Sequence, residues 1–137
     1  MHISARTEYA VRAMLVVADF HPRLVKTSEI ATAERISVSF LAAILTDLRR
    51  GGLLLSFRGT EGGHGLARPA EAISVGDILR AAEGVLVTTV RGRPTALASY
   101  DGTARGLRKV WLSLDLAITE VVDRTTLADL LASAPGP

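Results

Sequence analysis

Residues 36–68 read ISVSFLAAILTDLRRGGLLLSFRGTEGGHGLAR. Early in this stretch, four apolar residues recur at the i, i+3, i+4 and i+7 spacing of one helix face. They are Leu41, Ile44, Leu45 and Leu48. Ser37 or Ser39 can cap the start of this helix with a hydroxyl oxygen. Gly51 and Gly52 can end it, because glycine readily adopts the left-handed backbone of a helix C-terminus. The pattern predicts an amphipathic helix over residues 38–50.

A short β-hairpin is predicted directly after this helix. Residues 53–57 form an apolar run that can pair with residues 66–68 across a loop, residues 58–65, in which four of eight residues are glycine. A helix followed by such a hairpin is the order of a winged helix-turn-helix. In this interpretation residues 38–50 form the recognition helix and residues 53–68 form the wing. The predicted fold class is mainly α with a small β-hairpin.

The face of the predicted recognition helix that lies opposite its apolar stripe is small, polar and basic. It carries Ser39, Ala42, Ala43, Thr46, Arg49 and Arg50. Such a face can lie against a DNA groove or a phosphate backbone, whereas the alternative is the solvated face of an ordinary core helix. The hairpin favours DNA, because Arg58 at the base of its flexible tip suits a minor groove or a phosphate.

Two further points concern the glycine-rich loop. His64, at the predicted tip, can contact a phosphate or serve only as a turn residue. A nucleotide-binding loop is disfavoured, because no Lys-Ser/Thr pair and no helix follow the glycines.

Two helices are predicted before the recognition helix. Ser4 can cap the first, and Thr27 or Ser28 can cap the second, which covers residues 29–34. A short turn at residues 35–37 then leads into the recognition helix. Two helices joined by so short a turn are typical of a helix-turn-helix.

After the wing, Ser74 can cap a fourth helix that runs through Ala82 and stops at Glu83-Gly84. Residues 85–90 form a short apolar run, and residues 91–102 have the composition of a loop.

The longest predicted helix spans about residues 103–123. Five of its apolar residues step by four and three, which is the spacing of a heptad seam. They are Leu107, Trp111, Leu114, Ile118 and Val121. About 20 residues rise about 30 Å, which exceeds what the core of a compact winged helix needs. We therefore expect a dimerisation helix, with a helix that only covers its own domain as the alternative.

A last short helix, capped by Thr125 or Thr126, is expected to run through Ala132 and to end in a frayed tail. The expected division of the chain is a DNA-binding domain at residues 1–84, followed by a linker, the dimerisation helix and the short helix at residues 85–137.

Composition excludes several classes of function. The 137 residues contain no cysteine, so disulfides, thiol catalysis and cysteine-ligated zinc or iron–sulphur sites are excluded. The three histidines, His2, His21 and His64, are far apart in sequence, and no motif of a metal site or of a catalytic nucleophile is present. We therefore expect neither an enzyme nor a metal or cofactor.

Charge and hydropathy point to an intracellular DNA-binding protein. Residues 1–70 hold nine Lys/Arg and six Asp/Glu, a balance of +3, whereas residues 71–137 hold seven and eight, a balance of −1. The basic excess thus falls on the half that contains the predicted recognition helix. No long uncharged apolar run and no secretion-signal pattern is present, which predicts a cytoplasmic protein without a membrane partner.

The chain resembles the IscR/NsrR/CymR family of bacterial winged-helix transcriptional regulators, often called Rrf-two. Several separate motifs carry the resemblance, in the right order, from about residue 3 to residue 132. They are YAVRAML at 9–15, LRRGGL at 48–53, RG at 58–59 with GG at 62–63, LARP at 66–69, ISVGDI at 73–78 with EG at 83–84, Trp111, and TTLADL at 125–130.

The resemblance implies a homodimer held by the long helix, with a recognition helix in each major groove and a wing in each flanking minor groove. It implies that Ser39, Phe40, Ala42 and Ala43 face the bases and that Arg58 is the arginine of the wing. Tyr9 and Ser28 match positions that touch phosphates, and Thr60 in the wing loop completes the predicted DNA-contacting set.

Two departures from the family pattern matter. Members with base-specific readout often carry Glu-Gln where this chain has Ala42 and Ala43, and an alanine can touch a thymine methyl but cannot hydrogen-bond a base edge. Sequence preference would then rest on Ser39, Thr46, Arg58 and DNA shape. Many members also bind an iron–sulphur cluster through three cysteines before the long helix, whereas residues 88–105 contain none here.

Glu8 lies at the position where some cluster-binding members have a carboxylate ligand. A single carboxylate cannot hold a cluster, so we expect a cluster-free regulator. Its expected function is that of a homodimeric repressor on a palindromic operator. The alternative is a protein-interaction adaptor of the same fold whose DNA reading has weakened. The effector is open: a small ligand near residues 85–100 and a protein partner are both compatible with the sequence.

Overall fold

The computed structural model describes residues 2–83 and 88–134. It contains six helices and two antiparallel two-stranded hairpins within these ranges. The helices are α1 (Ala5–Phe20), α2 (Thr27–Glu34), α3 (Val38–Arg50), α4 (Val75–Glu83), α5 (Leu107–Arg124) and α6 (Leu127–Ser133). The strands are β1 (Leu54–Phe57), β2 (Gly63–Leu66), β3 (Thr89–Val90) and β4 (Arg93–Pro94). The mainly α fold class with a small hairpin is confirmed.

The first helix begins where its sequence predicts, but the second begins earlier. The Ser4 hydroxyl accepts the Thr7 N–H at 3.1 Å and caps α1. In α2 the cap is Lys26, whose N–H donates to the Glu29 carboxylate at 3.0 Å. The expectation that Thr27 or Ser28 caps a helix starting at residue 29 is therefore wrong. A side-chain carboxylate three residues into the helix takes over the capping that a hydroxyl was expected to provide.

The third helix, α3, has the predicted bounds and the predicted buried face. The Ser37 hydroxyl caps it by accepting the Phe40 N–H at 3.2 Å. All four residues of the apolar stripe are buried in the core that α3 shares with α1 and α2. Gly52, with φ of 77°, turns the chain from the helix into the hairpin. The buried stripe leaves the opposite side of α3 in solvent.

The wing pairs β1 with β2, from Leu54 opposite Leu66 to Phe57 opposite Gly63. The second strand was predicted at residues 66–68 and in fact begins at Gly63. The reason lies far away in sequence: His64 exchanges both backbone hydrogen bonds with Val25, at 3.0 and 2.8 Å. A Cβ on Gly63, where φ is 149°, would lie 2.9 Å from the Val25 backbone, so glycine permits this close approach. His64 is consequently in a strand and not at the wing tip.

Helices α4 and α6 pack against the winged part of the protein. Ser74 caps α4 and Thr126 caps α6, as predicted, each through a hydroxyl that accepts a backbone N–H at 3.0 Å. Val75 donates to the Thr125 carbonyl at 2.8 Å. Leu127 is fully buried and belongs to the same core cluster as α1 and α3. The start of α6 is thereby fixed to the start of α4.

The segment before the long helix was predicted as a loop from residue 91, but β3 and β4 form a small hairpin there. Arg91 and Gly92 connect the strands with φ of 53° and 79°. A two-residue connection with both φ positive is a type I′ turn, which matches the twist of a hairpin. Arginine rarely occupies the first of these positions, so the sequence carried no turn signal. The predicted helix stop at Gly84 and residues 85–87 of the predicted apolar run lie outside the described residues.

The long helix α5 begins at Leu107, four residues later than predicted. Residues 102–104 form a separate 3-10 turn, and Gly106 precedes the helix. None of the 18 residues of α5 is fully buried. Leu114 of the heptad seam is 45% exposed and Val121 is 66% exposed. One apolar side of α5 is therefore uncovered in a single protomer.

Candidate nucleic-acid interface

The exposed face of α3 presents short side chains flanked by arginines. Ser39, Ala42 and Ala43 are exposed, and Arg49 and Arg50 follow at the C-terminal end of the helix. Thr46 is half-buried, and its hydroxyl donates to the Ala42 carbonyl at 2.9 Å. The hydroxyl oxygen keeps lone pairs with which it can accept a hydrogen bond. The helix surface is thus low enough for another molecule to approach its backbone closely.

Tyr9 and Phe40 lie together where α1 meets the start of α3. Their ring centroids are 6.2 Å apart at an interplanar angle of 87°, an edge-to-face contact. The Arg12 guanidinium lies 4.7 Å from the centre of the Tyr9 ring, and its Nε donates to Glu34 at 2.6 Å. Arg12 thus packs on Tyr9 from α1 and bonds α2. The predicted phosphate contact Tyr9 and the predicted base contact Phe40 are held in fixed positions by this packing.

The loop of the wing is held by a lysine that sequence analysis did not single out. The Lys26 ammonium donates to the Thr60 carbonyl at 2.7 Å and approaches the Gly59 carbonyl at 3.5 Å. Arg58 and Thr60 are exposed in this loop. The described structure thus brings the start of α2, where Ser28 is also exposed, next to the wing. A basic residue just before a helix was the one available signal, and it does not by itself predict a contact 34 residues away.

A cleft of about 230 Å³ separates α3 from the wing. Its walls include Thr27, Thr46, Arg49, Ser56 and His64. The His64 ring is hydrogen-bonded on both sides, with Nε2 at 2.8 Å from the Thr27 hydroxyl and Nδ1 at 2.8 Å from the Ser56 hydroxyl. Burial, and secondarily the charge of Arg49, lower the pKa of His64.

His64 therefore joins α2 to the wing as a neutral ring at pH 7. The predicted position of His64 at the wing tip is wrong, whereas its contact with a phosphate stays a prediction. Both ring nitrogens are used inside the protein, and the residue lies in β2, four residues after Thr60, whose carbonyl Lys26 binds.

The basic side chains of this face are free to bind an anion. Across residues 2–83 and 88–134, no ion pair within 4.0 Å involves Arg49, Arg50 or Arg58. Arg6 differs, because it forms an ion pair with Asp47 that joins α1 to α3. Exposed arginines without a carboxylate partner, on a helix and on the hairpin that follows it, are suited to contact the DNA backbone.

Comparisons with known proteins place the chain in a family. The model of the Rrf2 family, described as an iron-dependent transcriptional regulator, matches residues 3–133. A helix-turn-helix-type transcriptional regulator of Mycobacterium tuberculosis is 42% identical over 135 residues, which are 98% of this chain and 83% of that relative. The regulator CymR of Bacillus subtilis is 32% identical over 139 residues, which are 99% of this chain and 94% of CymR.

Solved structures with the same fold agree. CymR, the global cysteine regulator of B. subtilis, superposes with a TM-score of 0.85 at 29% identity, covering 98% of this chain and 99% of CymR. IscR of T. potens superposes with a TM-score of 0.77 at 31% identity, covering all of this chain and 94% of IscR. The winged-helix interpretation is thereby confirmed.

The residues of this chain do not fit the iron that the family description names. There is no cysteine in the sequence. In the described ranges, no three side chains of His, Asp or Glu come together as a metal site would require. Glu8, the position of a possible carboxylate ligand, is instead within 3.3 Å of Arg12.

No helix of the described chain combines the length and the apolar character needed to cross a bilayer.

The family match covers almost the whole chain, and the fold and its relatives agree with it. The exposed helix, the wing and the unpaired arginines give that match a physical basis in the structure. The chain belongs to the Rrf2 family and is a DNA-binding transcriptional regulator.

Proposed function

We propose that this protein is a homodimeric repressor that binds a palindromic operator in promoter DNA. The observation that carries the proposal is a set of exposed arginines without an ion pair in the described residues, Arg49 and Arg50 of α3 and Arg58 of the wing loop. Guanidinium groups without a carboxylate partner can pair with phosphates, and such contacts supply much of the affinity for DNA. Repression then requires only that the bound dimer occupies the promoter.

Recognition of bases rests on few side chains in this proposal. Ser39 and Thr46 offer hydroxyl groups from α3, and Arg58 reaches a flanking minor groove. Ala42 and Ala43 are exposed on the same face and offer only methyl contacts. Tyr9, Ser28 and Thr60 contact phosphates around this centre. We therefore propose that DNA shape contributes a large part of the specificity.

The proposed dimer forms along α5. Its seam consists of Leu107, Trp111, Leu114, Ile118 and Val121. Three of these side chains, those of Leu107, Leu114 and Val121, are exposed in the single protomer. A heptad seam pairs well with a second copy of itself. In this arrangement residues 1–84 read DNA and residues 85–137 hold the two protomers together. Two copies then read two half-sites, which explains a palindromic operator.

The test is selection of genomic DNA with the purified full chain, followed by a gel-shift titration on the recovered sequence. Arg58→Ala should weaken operator binding by about 1–3 kcal/mol. Arg105→Ala is the matched control, because Arg105 is an exposed arginine outside α3, the wing and α5. Binding should also fall steeply as salt rises. Unchanged affinity of the Arg58 variant would contradict the proposed role of the wing.

The exposed Ala42 and Ala43 favour one competing function, a protein-interaction adaptor of the same fold. Alanine side chains cannot hydrogen-bond a base edge, so they add little to the recognition of a DNA sequence. An adaptor does not need such hydrogen bonds. The same selection separates the two functions, because an adaptor recovers no shared sequence from the genomic pool. The recovery of one shared palindrome would support the repressor.

A further inference from the structure

A groove of about 440 Å³ lies between the β3–β4 hairpin and the chain that follows it. This volume is within the range of small-molecule sites in proteins. Apolar side chains and polar or basic ones both line it. The lining residues that matter here are Val90, Arg91, Arg93, Leu97, Ser99 and Tyr100. The groove therefore offers both apolar contact and positive charge to a ligand.

The charge in the groove is not compensated. Arg91 and Arg93 are the cations of its wall, and among the described residues no carboxylate lines it. In the part of the chain that the structure describes, neither arginine takes part in an ion pair within 4.0 Å. Both guanidinium groups are exposed at the groove and can pair with an anion there. Their planar donor sets match the oxygens of a carboxylate or a phosphate.

The position of Arg91 is unfavourable for folding. With φ of 53° it is the first central residue of a type I′ turn, where Asn or Gly is strongly preferred. A long side chain in this left-handed conformation destabilises the hairpin relative to Asn. Arg91 nevertheless occupies this position, where its cationic side chain lines the groove. Strained residues of this kind are often found at ligand sites.

The wall of the groove is tied to α5 by hydrogen bonds. The Tyr100 hydroxyl accepts the Trp111 indole N–H at 2.9 Å, which leaves its own proton free to donate to a ligand. Arg108 donates to the Ala96 carbonyl at 3.2 Å. Asp115 accepts the Thr88 N–H at 3.0 Å and also the Thr95 hydroxyl. A ligand that orders this segment therefore acts on the helix that we propose joins the protomers.

We propose that this groove binds a small organic oxyanion, a carboxylate or phosphate monoester with an apolar body, and that occupancy changes the affinity for DNA through α5. Arg91 and Arg93 bind the oxyanion, Tyr100 donates to it, and Val90 and Leu97 contact its apolar part. The binding step is independent of DNA. The effect on DNA affinity rests on the proposed function.

Trp111 is the only tryptophan of the chain and contacts the groove through Tyr100, so it serves as a built-in reporter. Titration of the full chain with phenyl phosphate or with benzoate should give a saturable change in Trp fluorescence. The better of these two probes identifies which oxyanion is preferred. Inorganic phosphate and benzyl alcohol should each bind at least about tenfold more weakly, because each lacks one half of the recognised chemistry. Equal binding of inorganic phosphate would overturn the apolar part of the proposal.

Variants separate ligand binding from folding. Arg93→Ala should weaken binding of the better probe about tenfold or more. Arg105→Ala is the control, because Arg105 is an exposed arginine of the same connecting segment outside the groove. Arg91→Asn should weaken binding equally while its melting temperature stays the same or rises, because Asn suits the turn. A falling melting temperature with unchanged probe binding would show a structural role for Arg91 and overturn its assignment as a ligand.

The outcomes distinguish this proposal from the proposed function. No saturable signal up to about 10 mM probe, beyond the weak end of specific small-ligand binding, overturns the site whether or not DNA is bound. An equal loss in the Arg105 control also overturns it. If the probe binds and operator affinity then stays unchanged, the coupling to DNA is overturned and the site alone stands. Reduced DNA affinity of Arg93→Ala without any probe would show that this arginine contacts DNA instead.

Discussion

Arg80 of α4 and Asp123 of α5 face each other through two parallel hydrogen bonds, each 2.8 Å long. The hydrogen bond from Arg80 lowers the pKa of Asp123. Gly76 lies directly beside the pair: a Cβ at this position would be 1.9 Å from Asp123 Oδ1. The missing side chain is thus what lets the carboxylate approach α4. The pair links the winged part of the protomer to the helix proposed to join the dimer.

Gly76→Ala should have opposite effects in two backgrounds. Alanine normally stabilises a helix over glycine by up to about 1 kcal/mol. Here the new methyl group displaces the Asp123 carboxylate, so we expect the free energy of unfolding of the parent to fall by about 1 kcal/mol. In the Asp123→Ala background the carboxylate is absent, so Gly76→Ala should raise the free energy of unfolding by about 0.5 kcal/mol. Urea denaturation of the four proteins measures this, and equal effects in both backgrounds would contradict the coupling.

The Lys26 contact predicts that the wing depends on a residue outside it. Lys26→Met removes the donor to the Thr60 carbonyl and leaves the wing loop less ordered, so operator affinity should fall about fivefold to tenfold. Lys109→Met, at the other lysine of the chain, removes the same charge from the exposed side of α5 and should leave affinity unchanged. Hydrogen exchange of the Gly62 amide, which donates to the Gly59 carbonyl, should quicken in the Lys26 variant alone. Unchanged exchange together with unchanged affinity would show that the contact does not order the wing.

Local hydrogen bonds explain most of what the sequence could predict. The caps by Ser4, Ser37, Ser74 and Thr126 each use a hydroxyl and a backbone N–H three residues away, so the pattern is visible in a short window. The buried stripe of α3 is visible for the same reason, since its spacing belongs to one helix.

The features that were missed depend on distant residues or on unusual backbone. The start of β2 at Gly63 is set by Val25, and the contacts of His64 and Lys26 cross 37 and 34 residues. No local pattern carries such information. The β3–β4 hairpin was missed because Arg91 occupies a turn position that normally holds Asn or Gly. The family resemblance did not point to Lys26, the lysine that holds the wing loop.

Asp115 should make stability depend on acidity. Burial alone would raise the pKa of this carboxyl, but hydrogen bonds from Thr88 and Thr95 outweigh it and hold the pKa below its usual value. The unfolded chain therefore binds a proton more readily, so Asp115 stabilises the fold above about pH 4 and loses this effect as pH falls through its folded pKa. Denaturation of the parent and of Asp115→Asn should give a difference that is constant near neutral pH and shrinks below about pH 4. A difference that does not change with pH would show that the carboxylate charge is not what holds residues 88–95.

The heptad seam of α5 makes the dimer testable with two leucines of one helix. Leu114 lies on the seam and is 45% exposed, whereas Leu116 lies on the opposite side of the helix and is 69% exposed. A glutamate at position 114 would bury a charge in the proposed interface, which costs several kcal/mol, so Leu114→Glu should sediment as a monomer. Leu116→Glu adds the same charge outside the seam and should remain a dimer. Because a monomer contacts one half-site, Leu114→Glu should also lose most of its operator affinity. Dimeric Leu114→Glu, or two variants that behave alike, would exclude this face of α5 as the interface.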